Sequence, residues 1–498
     1  MKYTSTRNDA VSVKSSIAIK KGISDEGGLF VPEEIPYISL KDIKNLKDNT
    51  YIERAVFILK KYLTDFLNKE LLHCACGAYD SKKFNGENPA PVKKLNDNMY
   101  ILELWHGPTC AFKDMALQIL PYFLTYSIEK TGEKKEVVIL VATSGDTGKA
   151  ALEGFKDVNG TRISVFYPSD GVSDIQKLQM ITQSGKNVNV AGIKGNFDDA
   201  QNGVKAIFTD EDVKKAIGEK GFVFSSANSI NWGRLVPQIV YYFSAYCDML
   251  KNEEIELGEE INICVPTGNF GNILAAYYAK KMGLPVNKLI CASNSNNVLT
   301  HFIKTGEYNR NREFYTTVSP SMDILISSNL ERLLFDLSGY NTKKVSKWMK
   351  DLKEKGEYTV NADIKKKIDK IFWGAYCDDF YTKECIYKIN KEYGYTVDTH
   401  TAVAIDVYNQ YVNETGDNTK TVIASTASPF KFNESVLSAL GKNDEIKNMD
   451  DFAMLDMLSD ISGEDIPEGL KNLKNSEIRF KNVIDKTDMI SEVMEFLK

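Results

Sequence analysis

The chain has 498 residues, of which 43% are hydrophobic and 26% charged, the composition of a globular protein long enough for two or three domains. Its formal net charge of −6 argues against a general nucleic-acid binder, which needs a basic face. No apolar run approaches the roughly 20 residues that span a bilayer, and the polar first residues lack the apolar core of a signal peptide. We therefore expect a cytoplasmic protein that binds neither membranes nor nucleic acid.

The eight cysteines and four histidines restrict redox and metal chemistry. In a long chain without a secretory signal, the spread of cysteines from Cys74 to Cys385 indicates reduced thiols. The cluster His73-Cys74-Ala75-Cys76 lacks the second ligand pair of a zinc site. A catalytic metal site with several histidine ligands would need most of the four histidines, so no metal site is predicted.

Residues 1–90 are predicted to form a separate N-terminal domain. A Gly-Gly turn at 27–28 is followed by an extended apolar run, and an amphipathic helical pattern extends from Tyr51 to Leu67. The turn-forming residues 85–91 indicate the domain boundary.

From residue 91 onward, β-rich runs alternate with helical patterns, which is typical of an α/β fold with a largely parallel sheet. The β-rich runs are 99–104, 137–141, 163–167, 188–190, 261–265 and 421–424. Helical patterns lie between them, for example at Met115–Ile128 and Ile273–Met282. The stretch 345–391 also predicts helices, and residues 436–498 predict a C-terminal helical extension that packs on the core.

The run Trp105–Asp114 places Lys113 behind a Gly-Pro turn, between apolar residues, at the start of a predicted helix. A lysine in apolar surroundings loses part of the solvation of its ammonium form. Its pKa therefore falls, and the neutral amine can attack a carbonyl carbon. Lys113 is thus a candidate Schiff-base lysine. On this run alone, a lysine that points outward from a helix start is the alternative.

Three predicted strands end in small polar loops, at the edge where open α/β sheets bind ligands. The loop 142–151 contains Ser144-Gly145-Asp146-Thr147-Gly148, which either binds an anion at a helix start or simply caps the helix. The loop 266–272 has glycines that allow backbone amides to approach a phosphate. It matches neither a Walker A loop nor G-x-G-x-x-G.

The third loop, 425–432, follows the last predicted strand with hydroxyl side chains that suit a neutral ring nitrogen; an ordinary Ser/Thr turn is the alternative. An amine, two anion loops and a hydroxyl meet the requirements of pyridoxal 5'-phosphate. That cofactor needs an amine for its aldehyde, a cradle for its phosphate and a partner for its ring nitrogen.

On these residues the chain resembles the threonine synthases, which belong to the fold type II family of pyridoxal-phosphate enzymes. The resemblance covers nearly the whole chain, and the long N-terminal part is similar to the bacterial and fungal form. The matching motifs are 3–7, 27–32, 106–109 with 111–114, 144–148, 228–232 with Arg234, 268–272, 319–324, 327–332 and 400–402, before the loop at Thr426.

The resemblance implies a tryptophan synthase β-like fold, with two open, mostly parallel α/β subdomains around a cofactor cleft. The catalytic core would cover 91–435. Its smaller subdomain would be about 114–235, and its larger one would come from 91–113 and 236–435. The chain is expected to be a monomer or a homodimer.

The implied reaction is that of a carbon–oxygen lyase, in which O-phospho-L-homoserine and water become L-threonine and phosphate in the last step of threonine biosynthesis. Lys113 would hold the cofactor and shuttle protons, and Thr426 would contact the ring nitrogen. The cofactor phosphate would lie on Gly268, Asn269, Phe270, Gly271 and Asn272.

The resemblance also implies a substrate site. Ser144, Asp146 and Thr147 are candidates for the carboxylate end of the substrate, and Thr109 and Gly145 also belong to the substrate-binding set. Asn231, Arg234 and Lys431 are candidates for its phosphate. For Arg234 and Lys431, a surface or interdomain charge pair is the alternative.

One position departs from the family pattern. Where Thr-Ala-His-Pro is expected, the chain has Thr426-Ala427-Ser428-Pro429, so the threonine is kept and an imidazole is missing. This leaves room for a phospho-lyase on the same fold, which would release 2-oxobutyrate and ammonia. A serine or threonine dehydratase has no need for a phosphate-binding Arg234. A non-catalytic relic predicts loss of Lys113 or of the phosphate loop, and a metal hydrolase needs more histidines.

Replacing Lys113 with alanine removes the amine that these motifs surround. We expect Lys113→Ala to abolish both the visible absorbance of the lysine-bound cofactor and the activity, measured by absorption spectroscopy and by threonine formation. A Lys113→Ala protein that still forms threonine at the wild-type rate would contradict the assignment.

Overall fold

The computed structural model describes residues 1–143, 145–169 and 172–498, with Phe197 and Asp198 described by their backbone alone. The strands are β1 Tyr3–Ser5, β2 Phe30–Pro32, β3 Val92–Lys94, β4 Met99–Glu103, β5 Glu136–Ala142, β6 Thr161–Pro168, β7 Val188–Lys194, β8 Phe222–Ser225, β9 Ile261–Pro266, β10 Val286–Ser293, β11 Glu307–Asn309, β12 Glu357–Thr359, β13 Phe372–Tyr376, β14 Thr421–Ser425 and β15 Val483–Asp485.

The helices before β9 are α1 Ser15–Lys21, α2 Leu40–Leu46, α3 Tyr51–Tyr62, α4 Asn68–Ala78, α5 Asp114–Leu117, α6 Leu120–Lys130, α7 Asp146–Phe155, α8 Asp174–Ile181, α9 Phe197–Thr209, α10 Glu211–Glu219 and α11 Trp232–Lys251. Those after it are α12 Gly271–Lys281, α13 Val298–Thr305, α14 Leu330–Leu337, α15 Thr342–Glu354, α16 Ala362–Ile371, α17 Asp379–Tyr393, α18 Thr399–Thr415, α19 Asn433–Ala439, α20 Asn443–Ile446, α21 Asp451–Ser462, α22 Glu468–Lys471 and α23 Met489–Phe496.

Two sheets form the framework. The larger has the strand order β13-β10-β9-β14-β4-β3, in which only β3 is antiparallel to its neighbour. The smaller has the order β15-β7-β6-β5-β8 and is parallel throughout. The predicted α/β class with largely parallel sheets is therefore confirmed.

The N-terminal residues share the main core. The rings of Tyr3 and Tyr62 each lie edge-on to Trp232, with centroids 5.4 Å apart, and Trp232 begins the largely buried helix α11. Tyr278 of α12 completes this aromatic cluster. Residues 1–90, which the sequence predicts as a separate domain, thus bury their apolar surface against the catalytic framework.

The structure differs from the sequence prediction at two places. Within the stretch 345–391, predicted as helical, residues Phe372–Tyr376 form β13 at the edge of the larger sheet, parallel to β10. The C-terminal extension is also not purely helical, because β15 pairs with β7 in the smaller sheet. Both are edge strands, and their sequences show little alternation of apolar and polar residues. Their partner strands also lie far away in the sequence.

The close packing of α5 and α7 positions the candidate site. A Cβ atom at Gly154 of α7 would overlap the carbonyl oxygen of Leu117 at the end of α5. This contact brings the starts of the two helices together. Lys113 immediately precedes α5, and Asp146 is the first residue of α7.

None of the helices in the described parts of the chain is long and apolar enough to cross a membrane.

Adding a methyl group at position 154 forces α7 away from α5. We expect Gly154→Ala to lower the free energy of unfolding in urea by about 1–3 kcal/mol, the usual cost of overpacking. The matched control is Gly218→Ala in α10, where a Cβ meets only the end of the Lys135 side chain. Alanine there should be neutral or stabilise by up to about 1 kcal/mol. Equal effects at both positions would contradict the packing argument.

Candidate active site

Lys113 is held against the loop that follows β14. The Phe112 amide donates to the Thr426 carbonyl at 2.8 Å, and the Ser428 amide donates to the Cys110 carbonyl at 3.0 Å. Both bonds involve residues just before Lys113, and they bring the candidate amine and the candidate hydroxyl of Thr426 into one pocket. The side chain of Lys113 is only 13% exposed. The outward-facing alternative is therefore wrong.

A buried ion cluster surrounds the amine. Asp146 Oδ1 lies 2.5 Å from Lys431 Nζ, and Asp146 Oδ2 lies 3.6 Å from Lys113 Nζ. Burial opposes ionisation of Asp146, but the charges of Lys431 and Lys113 outweigh it and hold the pKa of this carboxyl well below its usual range. Lys431 is wholly buried, which excludes a surface pair, but its contact with Asp146 does join the two predicted subdomains, as the interdomain alternative expects.

Two further cations lie near the amine. Burial lowers the pKa of Lys113, and repulsion from Lys431 and Arg234 lowers it further, while Asp146 raises it. Arg234 is 5% exposed, and burial lowers its pKa to about 10. Lys113 and Lys431 share the carboxylate of Asp146, whereas burial alone shifts the pKa of Arg234. A buried guanidinium near the amine attracts an anion into the pocket.

Arg234 keeps part of its hydrogen-bonding capacity. Its Nη1 donates to the Ala227 carbonyl at 2.9 Å. Its Nε is buried and has no partner among the described residues. A buried guanidinium donor without an acceptor is costly, and an anionic ligand in the pocket would satisfy it.

Asp114 fixes the turn that precedes Lys113. Its carboxyl group accepts bonds from the amide and hydroxyl of Thr109, at 2.8 and 2.9 Å, and from Gln118 Nε2 at 3.2 Å. Burial raises its pKa to about 6 despite these donors. A Cβ at Gly107 would come within 2.6 Å of Asp114, so this turn requires glycine. Thr109, predicted to bind substrate, has both its donors engaged by Asp114.

The loop between β9 and α12 presents free amides. No acceptor in the described ranges is bound by the backbone N–H groups of residues 268–272. Phe270, which precedes α12, has a φ of 62°, a conformation rare for a bulky side chain. Asn272 Oδ1 accepts from the hydroxyls of Tyr241 and Tyr242, which leaves its buried Nδ2 without a described partner. The arrangement suits a phosphate group.

The start of α7 offers a second set of donors. Gly145 has a φ of 147°, and a Cβ there would come within 2.5 Å of Gln176, which itself donates to Asp146 Oδ1 at 2.9 Å. In the part of the chain that is described, the amides of Asp146 and Thr147 have no acceptor. Ser144 lies outside the described residues.

The loop after β14 divides its hydroxyls between structure and site. Ser425 accepts from Trp105 Nε1 at 3.0 Å and bonds the Thr401 hydroxyl at 2.9 Å. Ser428 accepts from the Phe430 amide and caps the short 3₁₀ turn 429–432 that carries Lys431. The hydroxyl of Thr426 makes no hydrogen bond to the described residues, so it is available to a ligand.

Asn231 is engaged within the protein. Its side chain caps α11 by accepting from the Gly233 amide at 2.8 Å. Its Nδ2 donates to the carbonyls of Ile19 and Ser226, at 3.0 and 2.8 Å. Both ends of the amide are thus in use within the protein, one of them partly by Ile19 of the N-terminal domain, and any effect of Asn231 on a substrate phosphate is indirect.

Two further residues belong to the site although the sequence assigned them no role. The hydroxyl of Ser321 lies 3.4 Å from Lys113 Nζ and 3.3 Å from Asp146 Oδ2. The Ser321 amide donates to His400 Nε2 at 3.2 Å, while His400 Nδ1 lies 2.9 Å from Asp398. Both residues lie in motifs that the chain shares with the family it resembles. Membership of those motifs is the sequence signal that could have identified them. An imidazole therefore lies near this pocket even though Ser428 supplies none.

Three family models match consecutive parts of the chain. Their descriptions are Threonine synthase N terminus for residues 2–79, Pyridoxal-phosphate dependent enzyme for 85–426, and Threonine synthase, C-terminal, for 401–494. Among solved structures, the PLP-bound threonine synthase from Brucella melitensis superposes with a TM-score of 0.87 at 34% identity, covering 100% of this chain and 98% of that one. The yeast threonine synthase gives 0.87 at 31% identity, covering 99% and 98%.

The curated relatives differ in how much of their length is shared. Threonine synthase from Pseudomonas aeruginosa is 38% identical over 88% of this chain and 90% of its own. Threonine synthase-like 1 from Homo sapiens is 42% identical over 85% of this chain. The match covers only 58% of the length of that human protein.

The ion cluster predicts how the pKa of Lys113 changes when its carboxylate is removed. Asp146 is the negative charge that raises the pKa of Lys113 against burial and two neighbouring cations. We expect Asp146→Asn to lower the pKa of Lys113 further, so that the amine becomes neutral at a lower pH. Competitive labelling of the cofactor-free protein with a limiting amine reagent across pH, followed by mass spectrometry of the Lys113 peptide, measures this pKa.

Ser321→Ala is the matched control, because it removes a neutral neighbour of the same amine and keeps the charge of Asp146. Its effect on the pKa of Lys113 should be smaller. An unchanged or raised pKa in Asp146→Asn would contradict the electrostatic account. Melting curves of both variants check that they remain folded at the temperature of labelling.

Proposed function

Because the chain belongs to the threonine synthase family of pyridoxal-phosphate dependent enzymes, we propose that it converts O-phospho-L-homoserine and water into L-threonine and phosphate. The observation that carries this proposal is the pocket in which Lys113 and Lys431 share the Asp146 carboxylate near the buried Arg234, beside two sets of amides that have no acceptor among the described residues. A substrate with a phosphate at one end and an amino acid at the other matches that distribution of charge and donors.

The residues fit pyridoxal phosphate. The buried amine of Lys113 would hold the cofactor, and the unpaired donors of 268–272, with Asn272 Nδ2, would hold its phosphate. The Thr426 hydroxyl would contact the ring nitrogen. When bound, this cofactor supplies an electron sink that stabilises negative charge developing on the carbons of the substrate.

Thr426 influences which chemistry is favoured. A hydroxyl is neutral, so it does not hold the ring nitrogen protonated as a carboxylate would. The ring is then a weaker electron sink, which suits elimination and addition at the substrate side chain better than transamination. The threonine at this position therefore supports a lyase.

Lys113 is the group placed to move protons. Burial and the neighbouring cations lower its pKa, which increases the neutral fraction that can accept a proton from the substrate Cα. The Ser321 hydroxyl and Asp146, which are hydrogen-bonded to each other, both contact this amine and restrict its position. The same amine can return a proton to the carbon skeleton after phosphate has left Cγ and water has added at Cβ.

The substrate phosphate is assigned to Arg234 and Lys431. Arg234 has a buried Nε with no partner among the described residues, and Lys431 is a buried cation beside Asp146. A dianionic phosphate placed between them would offset the excess positive charge. Phosphate that stays bound there after it is released from Cγ is suitably placed to assist the addition of water.

The carboxylate end of the substrate is assigned to the start of α7. The amides of Asp146 and Thr147, which have no acceptor among the described residues, lie at the positive end of a helix dipole. The carboxylate of Asp146 itself cannot bind another carboxylate and serves the two lysines instead. Gly145 contributes by allowing the tight turn, and Thr147 adds a hydroxyl.

A cytoplasmic location and a monomeric or homodimeric state remain part of this proposal. The location is in keeping with relatives that are named threonine synthases.

Turnover of O-phospho-L-homoserine with all products quantified tests the function. We expect L-threonine and phosphate in equal amounts, measured by mass spectrometry and a phosphate assay. Release of phosphate with 2-oxobutyrate and ammonia would identify a phospho-lyase and overturn the proposal. Turnover of serine or threonine in place of the phosphorylated substrate would identify a dehydratase.

Arg234→Gln provides a variant for the same assay. It retains hydrogen-bonding groups and loses the charge, so we expect kcat/KM for O-phospho-L-homoserine to fall about 10- to 100-fold, the range for hydrogen bonds to charged groups. Lys149→Gln is the matched control, because Lys149 is also buried but pairs with Glu153. An unchanged kcat/KM in Arg234→Gln would remove this residue from the phosphate site.

A further inference from the structure

We propose that residues 327–332, the Ser-Ser-Asn-Leu-Glu-Arg segment, set the direction of the amides in the phosphate loop 267–272. We further propose that Thr6 and Arg7 of the N-terminal domain hold that segment in place. The inference rests on the proposed function only in requiring that the loop binds the cofactor phosphate.

The first observation is that this segment binds the outward-facing carbonyls of the loop. Ser327 Oγ donates to the Gly268 carbonyl at 2.7 Å. The amide and the Nδ2 group of Asn329 both donate to the Asn269 carbonyl, at 3.1 and 3.0 Å. Two consecutive carbonyls of the loop are therefore fixed by neighbours from one segment.

The geometry of the peptide group means that these contacts also fix the direction of two amides. In a planar trans peptide, the carbonyl of one residue and the amide of the next point in opposite directions. Fixing the Gly268 carbonyl therefore fixes the amide of Asn269, and fixing the Asn269 carbonyl fixes that of Phe270. Both amides are then directed away from the segment, into the pocket, and both lack an acceptor among the described residues.

The positive φ of Phe270 is part of the same arrangement. A bulky residue rarely adopts a φ of 62° unless its surroundings enforce it. The buried Phe270 ring packs on Phe372, with centroids 5.8 Å apart. The bonds to the Asn269 carbonyl hold the peptide plane on the other side of that backbone angle.

Arg332 fixes the segment through three hydrogen bonds of its guanidinium group. It is fully buried, and its guanidinium donates to the Asn329 side-chain oxygen and to the backbone carbonyls of Phe30 and Ile230. The bond to Asn329 Oδ1 orients that side-chain amide, so that its Nδ2 faces the loop. One arginine thereby ties the segment to the N-terminal domain and to the chain just before α11.

Glu331 makes the second connection to the N-terminal domain. It is 4% exposed, and its carboxylate accepts from Arg7 Nε and Nη2, at 2.8 and 2.7 Å, and from the Thr6 hydroxyl at 2.5 Å. The Thr6 hydroxyl in turn accepts from the Leu29 amide at 2.8 Å. A bidentate Arg–carboxylate pair in a buried setting is a rigid link.

These contacts give a role to two motifs that the proposed reaction does not use. The opening motif 3–7 contacts the segment 327–332 at Glu331, and that segment in turn contacts the phosphate loop. The N-terminal domain then takes part in cofactor binding as well as in packing. Ser327, Asn329 and Arg7 act as positioning residues, because none of them is required to touch the cofactor.

The first test compares two adjacent serines. Ser327→Ala removes the bond to the Gly268 carbonyl, whereas Ser328→Ala changes a half-buried serine whose hydroxyl makes one long described hydrogen bond, to the Asn269 side chain at 3.4 Å. The dissociation constant of pyridoxal phosphate is measured on cofactor-free protein by fluorescence titration. It is then compared with that of pyridoxal, which has the same aldehyde and ring but no phosphate.

We expect Ser327→Ala to weaken binding of pyridoxal phosphate about five- to tenfold, the usual worth of one hydrogen bond, and to leave binding of pyridoxal unchanged. Ser328→Ala should bind both as the wild type does. Equal weakening of both ligands, or no weakening of either, would overturn the inference. A wild-type chain that binds pyridoxal phosphate no better than pyridoxal would overturn it together with the assigned phosphate site.

The second test addresses the N-terminal link. Arg7→Gln breaks the pair with Glu331, and Lys14→Gln removes one positive charge from an exposed position in the same part of the chain. We expect only Arg7→Gln to lower the preference for pyridoxal phosphate over pyridoxal, by about five- to tenfold. The same loss in Lys14→Gln, or none in Arg7→Gln, would show that the N-terminal domain does not position the loop. Normal cofactor binding with no threonine formed would instead concern the proposed function alone.

Discussion

The buried carboxylate of Asp146 is the interaction on which the site depends. It lies between Lys113, which precedes α5, and Lys431, which comes from the loop after β14 of the other sheet. Removing one partner of such a buried cluster leaves an uncompensated charge, which typically costs about 3–5 kcal/mol. The cluster therefore joins the two sheets at the pocket and keeps the reactive amine in place while its burial lowers the amine pKa.

The rest of the fold brings backbone amides and the lysine turn close to that cluster. Glycines at 107, 145 and 154 allow the backbone to approach closely enough for the lysine turn and the start of α7 to meet. The amides of 146–147 and 268–272, which have no acceptor among the described residues, lie at helix starts that follow parallel strands, where open α/β sheets bind anions. With the buried cations nearby, the pocket suits a ligand that carries several negative charges.

Much of this could be predicted from the sequence because the signals are local. A strand followed by a small polar loop and a helix is encoded in adjacent residues, so Lys113, Gly268 and Thr426 were identifiable. The fold type II architecture and the pyridoxal-phosphate cofactor that the resemblance implied are confirmed by the matching family model and by the solved threonine synthases.

What the sequence missed depends on contacts between distant parts of the chain. Ser321 is 208 residues from Lys113, and no local pattern announces their contact. The donors of Thr109 and Asn231 were expected for substrate, but Asp114 and the N-terminal domain take them. The edge strands β13 and β15 form through pairing with remote partners, which periodicity within a short run does not reveal.

The central claim is that Lys113, the buried lysine beside Asp146, carries the cofactor. Reduction of the pyridoxal-phosphate-loaded chain with borohydride, followed by peptide mass spectrometry, tests it directly. The account predicts a single phosphopyridoxyl group, on Lys113. Modification of Lys431 or Lys149, the other buried lysines of this region, with Lys113 unmodified, would contradict it.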